Sequence, residues 1–268
     1  MTSSLPILII IPHGGRRVPE ELEGYVALSE FDLFYQSDSC ANDIFSFNNR
    51  VAASIDTHIS RFFVDMDRSY REIPPGAADG IIKKTDLQGR DVFRKDQFPD
   101  HIALSNILKR YYYPFHDTVE KIISSGEIEL IIECHTMMPI APPSAPDAGE
   151  PRPVVFLENL VEEKGKTMRT CPDTVLEALQ ANLKKSFSGE NSTVTEKCII
   201  SSKPGCGLIM KKYGKGNIPF LKLSLSKALF LNDVYFSYDY LRVDELRLLD
   251  IQKKIWQAVE KTYSRELI

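Results

Sequence analysis

Two histidines stand at the ends of strand-like apolar runs. His13 follows the run at residues 5–12, and His135 follows the run at 129–134. Ligands of α/β proteins bind at the carboxyl ends of the strands, so both imidazoles are expected at one edge of a sheet. Two imidazoles and a nearby carboxylate suit a divalent metal ion. The sequence therefore predicts the metal site of a hydrolase around these two histidines.

Glu133 stands two residues before His135, so both side chains point to the same face of a strand. A carboxylate in this position can hold the second ring nitrogen of the histidine and orient the ring. It can equally move a proton during hydrolysis. These roles stay open, as does a plain ion pair at the end of the strand. We take Glu133 as the candidate catalytic residue.

The third metal ligand is expected to be a carboxylate. Asp38 lies in a loop or an early helical turn after the first strand, where an aspartate more often caps a helix. Asp65 and Asp67 form a second candidate group that could bind a hard cation by themselves. That Asp-x-Asp spacing is short, common and without a glycine-rich phosphate loop, so it is weak evidence for a phosphohydrolase. Arg68 either clamps a substrate carboxylate or pairs with a neighbouring aspartate.

Strand-like and helical segments alternate along the chain, without an internal repeat or a linker. This order predicts a single domain over residues 1–268, with three α/β/α layers around a central mixed, partly parallel sheet. Ser29 and Asp32 form a capping box that opens a helix. The predicted strands are 7–11, 61–64, 129–134, 154–157, 208–211 and 220–225, and the predicted helices are 41–54, 104–122 with a kink or break at Pro114, 175–187 and about 243–263.

Composition excludes several classes of protein. The 268 residues are 43% hydrophobic and 26% charged, as in ordinary soluble globular proteins. A formal net charge of −4 with mixed signs gives no basis for binding nucleic acid or an anionic membrane. No apolar run is long enough to span a bilayer, and no signal-peptide pattern is visible. Five scattered cysteines argue against a disulfide framework and against a cysteine zinc site, so we expect a cytoplasmic protein.

Two loops adjoin the candidate residues. Residues 74–97 are rich in proline, glycine and charge, and their basic side chains are predicted to form a solvated face. Residues 139–153 contain six prolines, which excludes a helix or a central strand. Because this second loop follows His135, it is either a mobile lid or a surface loop stiffened by proline. The basic residues of the first loop are Lys83, Lys84, Arg90, Arg94 and Lys95, and His58, His101 and His116 are assigned to the surface or a helix face without a role.

Seven segments resemble, in order, the motifs of the N-formylglutamate amidohydrolase family, which is similar in fold to the zinc carboxypeptidases and aspartoacylase. They extend over roughly residues 7–235. Each match is short, but seven in the same order are hard to obtain by chance. The segments are PHGG at 12–15, Asp38 before the helical run at 43–47, RFFVDMDR at 61–68, Gly80 with Thr85 and Gly89, YYYPFH at 111–116, ECHT at 133–136, and CGLIMKKYG at 206–214.

The resemblance implies a phosphorylase/hydrolase-like α/β fold and a zinc ion held by His13, Asp38 and His135, with water in the open position. Zinc lowers the pKa of such a water to about 7, which makes hydroxide available to attack an amide carbonyl. The implied substrate is a small N-formyl or other N-acyl amino acid whose carboxylate binds Arg68. Lys211 stands where the family has a second arginine, and it supplies charge without a planar fork.

Two departures from the family pattern concern the chemistry. The family's glutamate in a Gln-Leu-Glu-Leu strand, which resembles a general base, is Ser224 in this chain, and a hydroxyl cannot accept a proton near neutral pH. Asp67, which we place among the substrate-binding residues, replaces an asparagine and would oppose an acidic substrate. One hypothesis is therefore a zinc amidohydrolase in which Glu133 or another carboxylate transfers the proton. The other is a catalytically weakened relative that works as a binding or regulatory protein.

Overall fold

The protein is described by a computed structural model that covers residues 4–77, 79–145, 147–190, 198–205 and 207–266. Six strands of this part form one sheet in the order β2-β1-β3-β8-β4-β7. Strand β4 runs antiparallel to β8, while the other neighbouring pairs are parallel. This confirms the predicted mixed, partly parallel sheet. The strands are β1 (Leu5–Ile11), β2 (Val51–Asp56), β3 (Leu130–Met137), β4 (Val155–Glu158), β5 (Leu160–Glu163), β6 (Lys166–Arg169), β7 (Cys198–Ile200), β8 (Phe220–Ser226), β9 (Phe236–Ser237) and β10 (Arg242–Val243).

Helices cover both faces of the sheet and complete the three layers. Helices α2, α5 and α7 share one apolar core with one face of the sheet, and α3, α4 and α6 share a second core with the opposite face. In the described part of the chain, none of the helices combines the length and the apolarity needed to cross a bilayer. The helices are α1 (Glu30–Gln36), α2 (Ala41–Ile44), α3 (His101–Ile107), α4 (Tyr113–Ser124), α5 (Asp173–Ser186), α6 (Leu208–Tyr213) and α7 (Glu245–Glu266).

Strand β1 shows why the sheet needs both layers. Ile7, Ile9 and Ile11 point into one core, and Leu8 and Ile10 point into the other. All five side chains are buried. A continuous β-branched and apolar run is typical of a parallel strand that is covered on both faces. The sheet therefore brings the end of β1, where His13 follows, to the interior of the protein.

The capping box predicted from the sequence forms at the start of α1. Ser29 caps α1, because its hydroxyl accepts a hydrogen bond from the backbone of Asp32 at 3.1 Å. The Asp32 carboxylate accepts one in return from the backbone of Ser29 at 3.0 Å. A wider π-helical turn over Leu108–Tyr112 interrupts the regular helix and joins α3 to α4, which begins at Tyr113, next to Pro114.

Three predicted elements were wrong. Residues 41–54 contain the short helix α2 and a 3-10 turn at Asn48–Arg50, and strand β2 begins at Val51 because it pairs with β1. Residues 61–64 form a turn rather than a strand. Residues 208–211 belong to helix α6. A short apolar run does not distinguish a helix from a strand, so tertiary contacts decided all three cases.

The proline-rich segment at 139–153 is a loop, as predicted, in its described residues. An isolated bridge between Ile140 and Pro151 closes it at its base. An ion pair between Arg152 and Asp147 lies within it at 3.0 Å. These contacts give the loop an ordered base next to the end of β3.

Candidate metal centre

The sheet places the two histidines side by side. His13 follows β1 after one proline, and His135 lies in the second half of the adjacent strand β3. Their ring centroids are 5.0 Å apart. The register that pairs Ile10 with Glu133 produces this neighbourhood, because it aligns the carboxyl ends of the two strands. Both imidazoles are buried.

Asp38 meets both histidines from the loop between α1 and α2. Its backbone amide donates to the carbonyl of His13 at 3.1 Å, which fixes the loop to the end of β1. One carboxylate oxygen, Oδ2, accepts a hydrogen bond from His135 Nδ1 at 2.8 Å and lies 3.9 Å from His13 Nδ1. One ligand atom from each of these three residues lies within 4.8 Å of the others. The structure thus brings the predicted metal ligands together.

A carboxylate holds the far nitrogen of each imidazole. His13 Nε2 donates to Asp65 Oδ1 at 2.7 Å, and His135 Nε2 donates to Glu133 Oε1 at the same distance. Such contacts orient metal-binding histidines and fix their tautomers. His13 Nδ1 is buried and has no hydrogen-bond partner among the described residues. Because a metal ion at the common point would satisfy this nitrogen, the site fits zinc with two imidazoles and one carboxylate.

His13 and Asp38 have the protonation states that metal ligands need, whereas His135, which donates from both ring nitrogens, would have to release its Nδ1 proton when a metal ion binds. Burial lowers the pKa of His13 despite the nearby Asp65, so Nδ1 keeps its lone pair. Burial alone would also lower the pKa of His135, but the hydrogen bonds to Asp38 and Glu133 raise it to about 9. Burial opposes ionisation of Asp38, yet the contact with His135 brings the pKa of this carboxyl to about 2. Asp38 is therefore a carboxylate at neutral pH and can serve as an anionic ligand.

Asp65 is the centre of a buried network of charges. Besides His13, it accepts hydrogen bonds from the backbone of Asp67 at 2.9 Å and from Arg61 at 3.2 Å. Lys83 Nζ lies 2.7 Å from its second oxygen. Burial disfavours its charge, but His13, Lys83 and Arg61 hold its pKa well below the usual range.

The basic residues of the loop at 74–97 were predicted to form a solvated face. This prediction was wrong for Lys83, because this lysine is buried against Asp65. The other four, Lys84, Arg90, Arg94 and Lys95, are exposed.

We expect Asp65→Asn to weaken zinc binding by about 10–100-fold, because His13 loses its anionic partner and the ring loses its orientation. A competition titration with a chromogenic chelator measures this affinity. Asp91→Asn, at an exposed position further along the chain, is the matched control. Unchanged affinity in the Asp65 variant would mean that this carboxylate balances only Lys83 and Arg61.

Glu133 lies on the far side of the His135 ring from Asp38. It is buried, and Lys222 Nζ lies 3.4 Å from the oxygen that contacts His135. Burial opposes its ionisation, but Lys222 and His135 bring its pKa to about 2. The other oxygen, Oε2, has no partner among the described residues. This contact suits orientation of His135, and a role of Glu133 in proton transfer stays a prediction.

The predicted substrate-binding residues lie on the side of Asp65. Arg68 bonds to Asp79 through Nη2 at 2.5 Å and to the backbone carbonyl of Asp67 through Nη1 at 3.1 Å. Asp67 is largely engaged by α6, because its Oδ1 accepts from the backbone of Ile209 at 2.8 Å. Its second oxygen lies 3.5 Å from Lys222 Nζ, so the negative charge of Asp67 is partly balanced. Lys211 lies on the same helix, half buried.

Two further residues lie beside the predicted ligands, and one of them, Lys227, was not found from the sequence. Ser224 had been singled out only as the replacement for the family's glutamate, and the β3–β8 register places it next to His135. Lys227 is buried just after β8 and donates to the carbonyls of Tyr35, at 2.8 Å, and Ser37. Burial lowers the pKa of Lys227 to about 8. The sequence offered one signal for Lys227, its position just after β8, because β8 ends at the same edge of the sheet as β3.

Helix α4 and the π-helical turn before it hold the loop that carries Asp65. Tyr112 Oη donates to the carbonyl of Arg68 at 3.0 Å, and His116 Nε2 donates to the carbonyl of Met66 at 3.0 Å. A carbonyl only accepts, so Nε2 carries the proton and Nδ1 accepts from Tyr213 Oη at 3.0 Å. The assignment of His116 to the surface or a helix face was therefore incomplete, because this side chain is buried between the 65–68 loop and α6.

Burial, aided by Lys212, lowers the pKa of His116 to about 4, below the value near 6.5 of an unfolded histidine. Between these values only the unfolded chain takes up the proton, so stability falls as the pH drops from about 6.5 to 4. We expect His116→Gln, which keeps a donor for Met66, to reduce this loss by up to roughly 3 kcal/mol. Urea unfolding at pH 7 and pH 4.5 measures the loss of unfolding free energy in the wild type and in the variant. Equal losses in the two proteins would contradict a lowered pKa of His116.

The family model of N-formylglutamate amidohydrolase matches residues 5–231. The N-formylglutamate amidohydrolase from Ralstonia eutropha JMP134 has a similar structure, with a TM-score of 0.73 at 15% identity over 99% of this chain and 96% of that one. The gene product Atu2144 from Agrobacterium tumefaciens gives a TM-score of 0.65 at 14% identity over 98% and 92%. These likenesses establish the fold. No curated protein matches the sequence significantly. Because the family model extends from β1 past the end of β8, the chain belongs to the N-formylglutamate amidohydrolase family, a family of hydrolases that act on amide C–N bonds.

Proposed function

We propose that the protein is a zinc-dependent amidohydrolase of a small N-formyl or other N-acyl amino acid. The observation that carries this proposal is the convergence of His13, Asp38 and His135 on one point, with His13 Nδ1 buried and unpartnered in the described structure. A bound zinc ion supplies Lewis-acid activation of water and of the amide carbonyl. Asp65 and Glu133 hold the Nε2 atoms of the two imidazoles, so the Nδ1 atoms would face the ion.

The charges next to the site favour a substrate that carries a carboxylate. The side chains of Arg61, Lys222 and Arg68 are 20%, 17% and 14% exposed. Two of their carboxylate neighbours are less exposed, at 0% for Asp65 and 3% for Asp67. Asp79, the partner of Arg68, is 60% exposed and offsets the charge of this arginine, so a solute meets positive charge at Arg61 and Lys222. An anionic group on the substrate would be attracted to these two side chains.

The proposed roles follow from these positions. Arg68 and Lys211 would bind the substrate's carboxylate, and Asp67 would hold the start of α6 beside it through its contact with Ile209. Glu133 would transfer the proton from water to the leaving nitrogen. Arg61, which shares Asp65 with His13, would stabilise negative charge that develops on the carbonyl oxygen.

Hydrolysis of N-acyl amino acids tests the proposal. The zinc-loaded protein is incubated with N-formyl-L-glutamate, N-acetyl-L-glutamate and the uncharged diamide of the first compound, and the release of primary amine is measured. We expect release from the compounds with a carboxylate and little from the diamide. Protein that demonstrably holds zinc and releases amine from none of a broad panel of N-acyl amino acids would contradict the proposal.

A second candidate function is favoured by one observation, the hydroxyl of Ser224 beside His135 where the family has a glutamate. In that case the protein keeps the fold and the metal but turns over its ligand slowly, and acts as a binding or regulatory protein.

We further propose that residues 1–268 form one domain that works in the cytoplasm on a small molecule. The continuous central sheet and the fold shared along nearly the whole chain support one domain. Cys40, Cys134, Cys171 and Cys198 carry free thiols, which suits a reducing compartment.

A further inference from the structure

Arg68, the arginine that would receive the substrate's carboxylate, already holds a carboxylate of this chain. Nη2 donates to Asp79 Oδ2 at 2.5 Å, and Nε donates to the backbone carbonyl of Asp79 at 3.1 Å. The third nitrogen, Nη1, donates to the carbonyl of Asp67 at 3.1 Å. Every nitrogen of the guanidinium thus has an acceptor. The Asp79 carboxylate occupies a donor of Nη2, so a substrate carboxylate that binds Nη2 competes with it.

The exposures show which acceptor can leave. The side chain of Asp79 is 60% exposed, whereas those of Arg68 and Lys83 are 14% and 6% exposed. Asp79 therefore reaches two largely buried cations from the solvent side, with one oxygen on each. A small carboxylate that arrives from solvent would approach Arg68 from the same direction. Withdrawal of the Asp79 carboxylate needs only a rotation of its own side chain.

The surroundings of Asp79 are held independently of that carboxylate. Lys83 keeps Asp65 at 2.7 Å and the carbonyl of Gly80 at 2.8 Å when Asp79 turns away. The backbone beside Asp79 is fixed by a hydrogen bond from Ile81 to the carbonyl of Glu72 at 2.7 Å. Burial disfavours the charge of Asp79, but Lys83 and Arg68 lower its pKa to about 2, so it is an anion at any pH of interest.

We propose that Asp79 is an internal competitor that occupies the carboxylate site of Arg68 and that an anionic ligand must displace. The proposal rests on the proposed function, because that function makes Arg68 the receiver of the substrate's carboxylate. Asp79 then sets the affinity for acidic ligands and leaves the affinity for neutral ones unchanged. It acts as a residue that determines specificity, through Arg68.

The size of the effect follows from competition. A ligand that binds only the open form has an apparent Kd equal to its intrinsic Kd divided by the open fraction. If Asp79 is withdrawn for about 1–10% of the time, its removal tightens the binding of a carboxylate by roughly 10–100-fold.

Calorimetric titration of the protein as purified tests the proposal with glutarate, a dicarboxylate without a scissile amide, and with glutaramide, its neutral counterpart. Asp79→Asn removes the charge and keeps the size of the side chain. We expect glutarate to bind this variant at least about 10-fold more tightly than the wild type, with no change for glutaramide. Asp91→Asn, an exposed position in the same loop, removes the same charge and should leave glutarate binding unchanged.

A double-variant cycle shows whether the gain acts through Arg68. In an Arg68→Met background, Asp79→Asn should bring no gain. An equal gain there, an equal gain from Asp91→Asn, or no gain in the single variant would overturn the proposal and leave Asp79 as a structural ion pair.

This inference and the proposed function fail in different ways. Tighter glutarate binding without turnover of any N-acyl amino acid would support the role of Asp79 and reject the amidohydrolase. Turnover of an N-acyl amino acid without tighter glutarate binding would support the amidohydrolase and reject the role of Asp79.

Discussion

The double variant His13→Ala, His135→Ala is expected to lose its zinc, while the wild type binds about one equivalent per chain. These two imidazoles supply two of the three ligand atoms that converge in the structure. The remaining carboxylate, Asp38, would be a single ligand and would not retain the ion. Hydrolysis of any N-acyl amino acid should fall to the background of the uncatalysed reaction. Elemental analysis of protein purified without a histidine tag measures the metal content.

A matched control separates loss of the site from loss of any two histidines. His58 and His101 are both exposed, and their double replacement by alanine should leave zinc content and turnover unchanged. Circular dichroism of both double variants shows whether each is folded. A folded His13, His135 variant that retains zinc would reject the proposed metal ligands. A wild type without zinc, even after zinc is added and the excess removed, would reject the proposed zinc site.

If the protein is a weakened relative that has lost its base, Ser224→Glu is expected to raise turnover by about 10²–10⁴-fold, the usual contribution of a positioned acid–base group. If Glu133 transfers the proton, little gain is expected. Residue 224 pairs in register with His135, so a carboxylate there would lie next to the proposed metal ligands. Steady-state kinetics on N-formyl-L-glutamate measures the effect, which should appear in kcat. The control is Ser224→Gln. Glutamine has nearly the size and shape of glutamate but no basic oxygen, so this variant should show no gain in kcat.

The result distinguishes the two candidate functions. A large gain for the glutamate variant would mean that the rest of the apparatus is intact and that the natural protein is a weakened relative. A wild type that already matches the glutamate variant would instead show that another carboxylate transfers the proton. Glu133→Gln, which keeps a contact with His135, would then test the remaining candidate.

Elements with a strong local pattern were predicted well. The buried apolar run of β1 and the helical spacing of α5 and α7 appear in the structure near their predicted bounds. Helix α6 was taken for a strand because its stabilising contact is remote. Asp67 Oδ1 accepts a hydrogen bond from the backbone of Ile209, in the first turn of this helix, and the two residues are 142 positions apart. No local spacing contains that information.

The start of β2 was missed for a similar reason. Phe45, Phe47 and Val51 have helical spacing, but Val51 lies in a strand that alternates between buried and exposed side chains. Its partner is β1, and pairing with an existing strand outweighed the weak helical pattern.

The sequence by itself determined the family, the mixed sheet with its two layers of helices, and the order of the candidate ligands His13, Asp38 and His135. Only the tertiary structure decided which charges surround them. Asp65 on His13, Lys83 on Asp65 and Asp79 on Arg68 come from the way a long loop folds against the end of β1. The physical reason is that strand register and loop packing set these contacts across many residues, whereas residue type and spacing report only what neighbours in the chain can do.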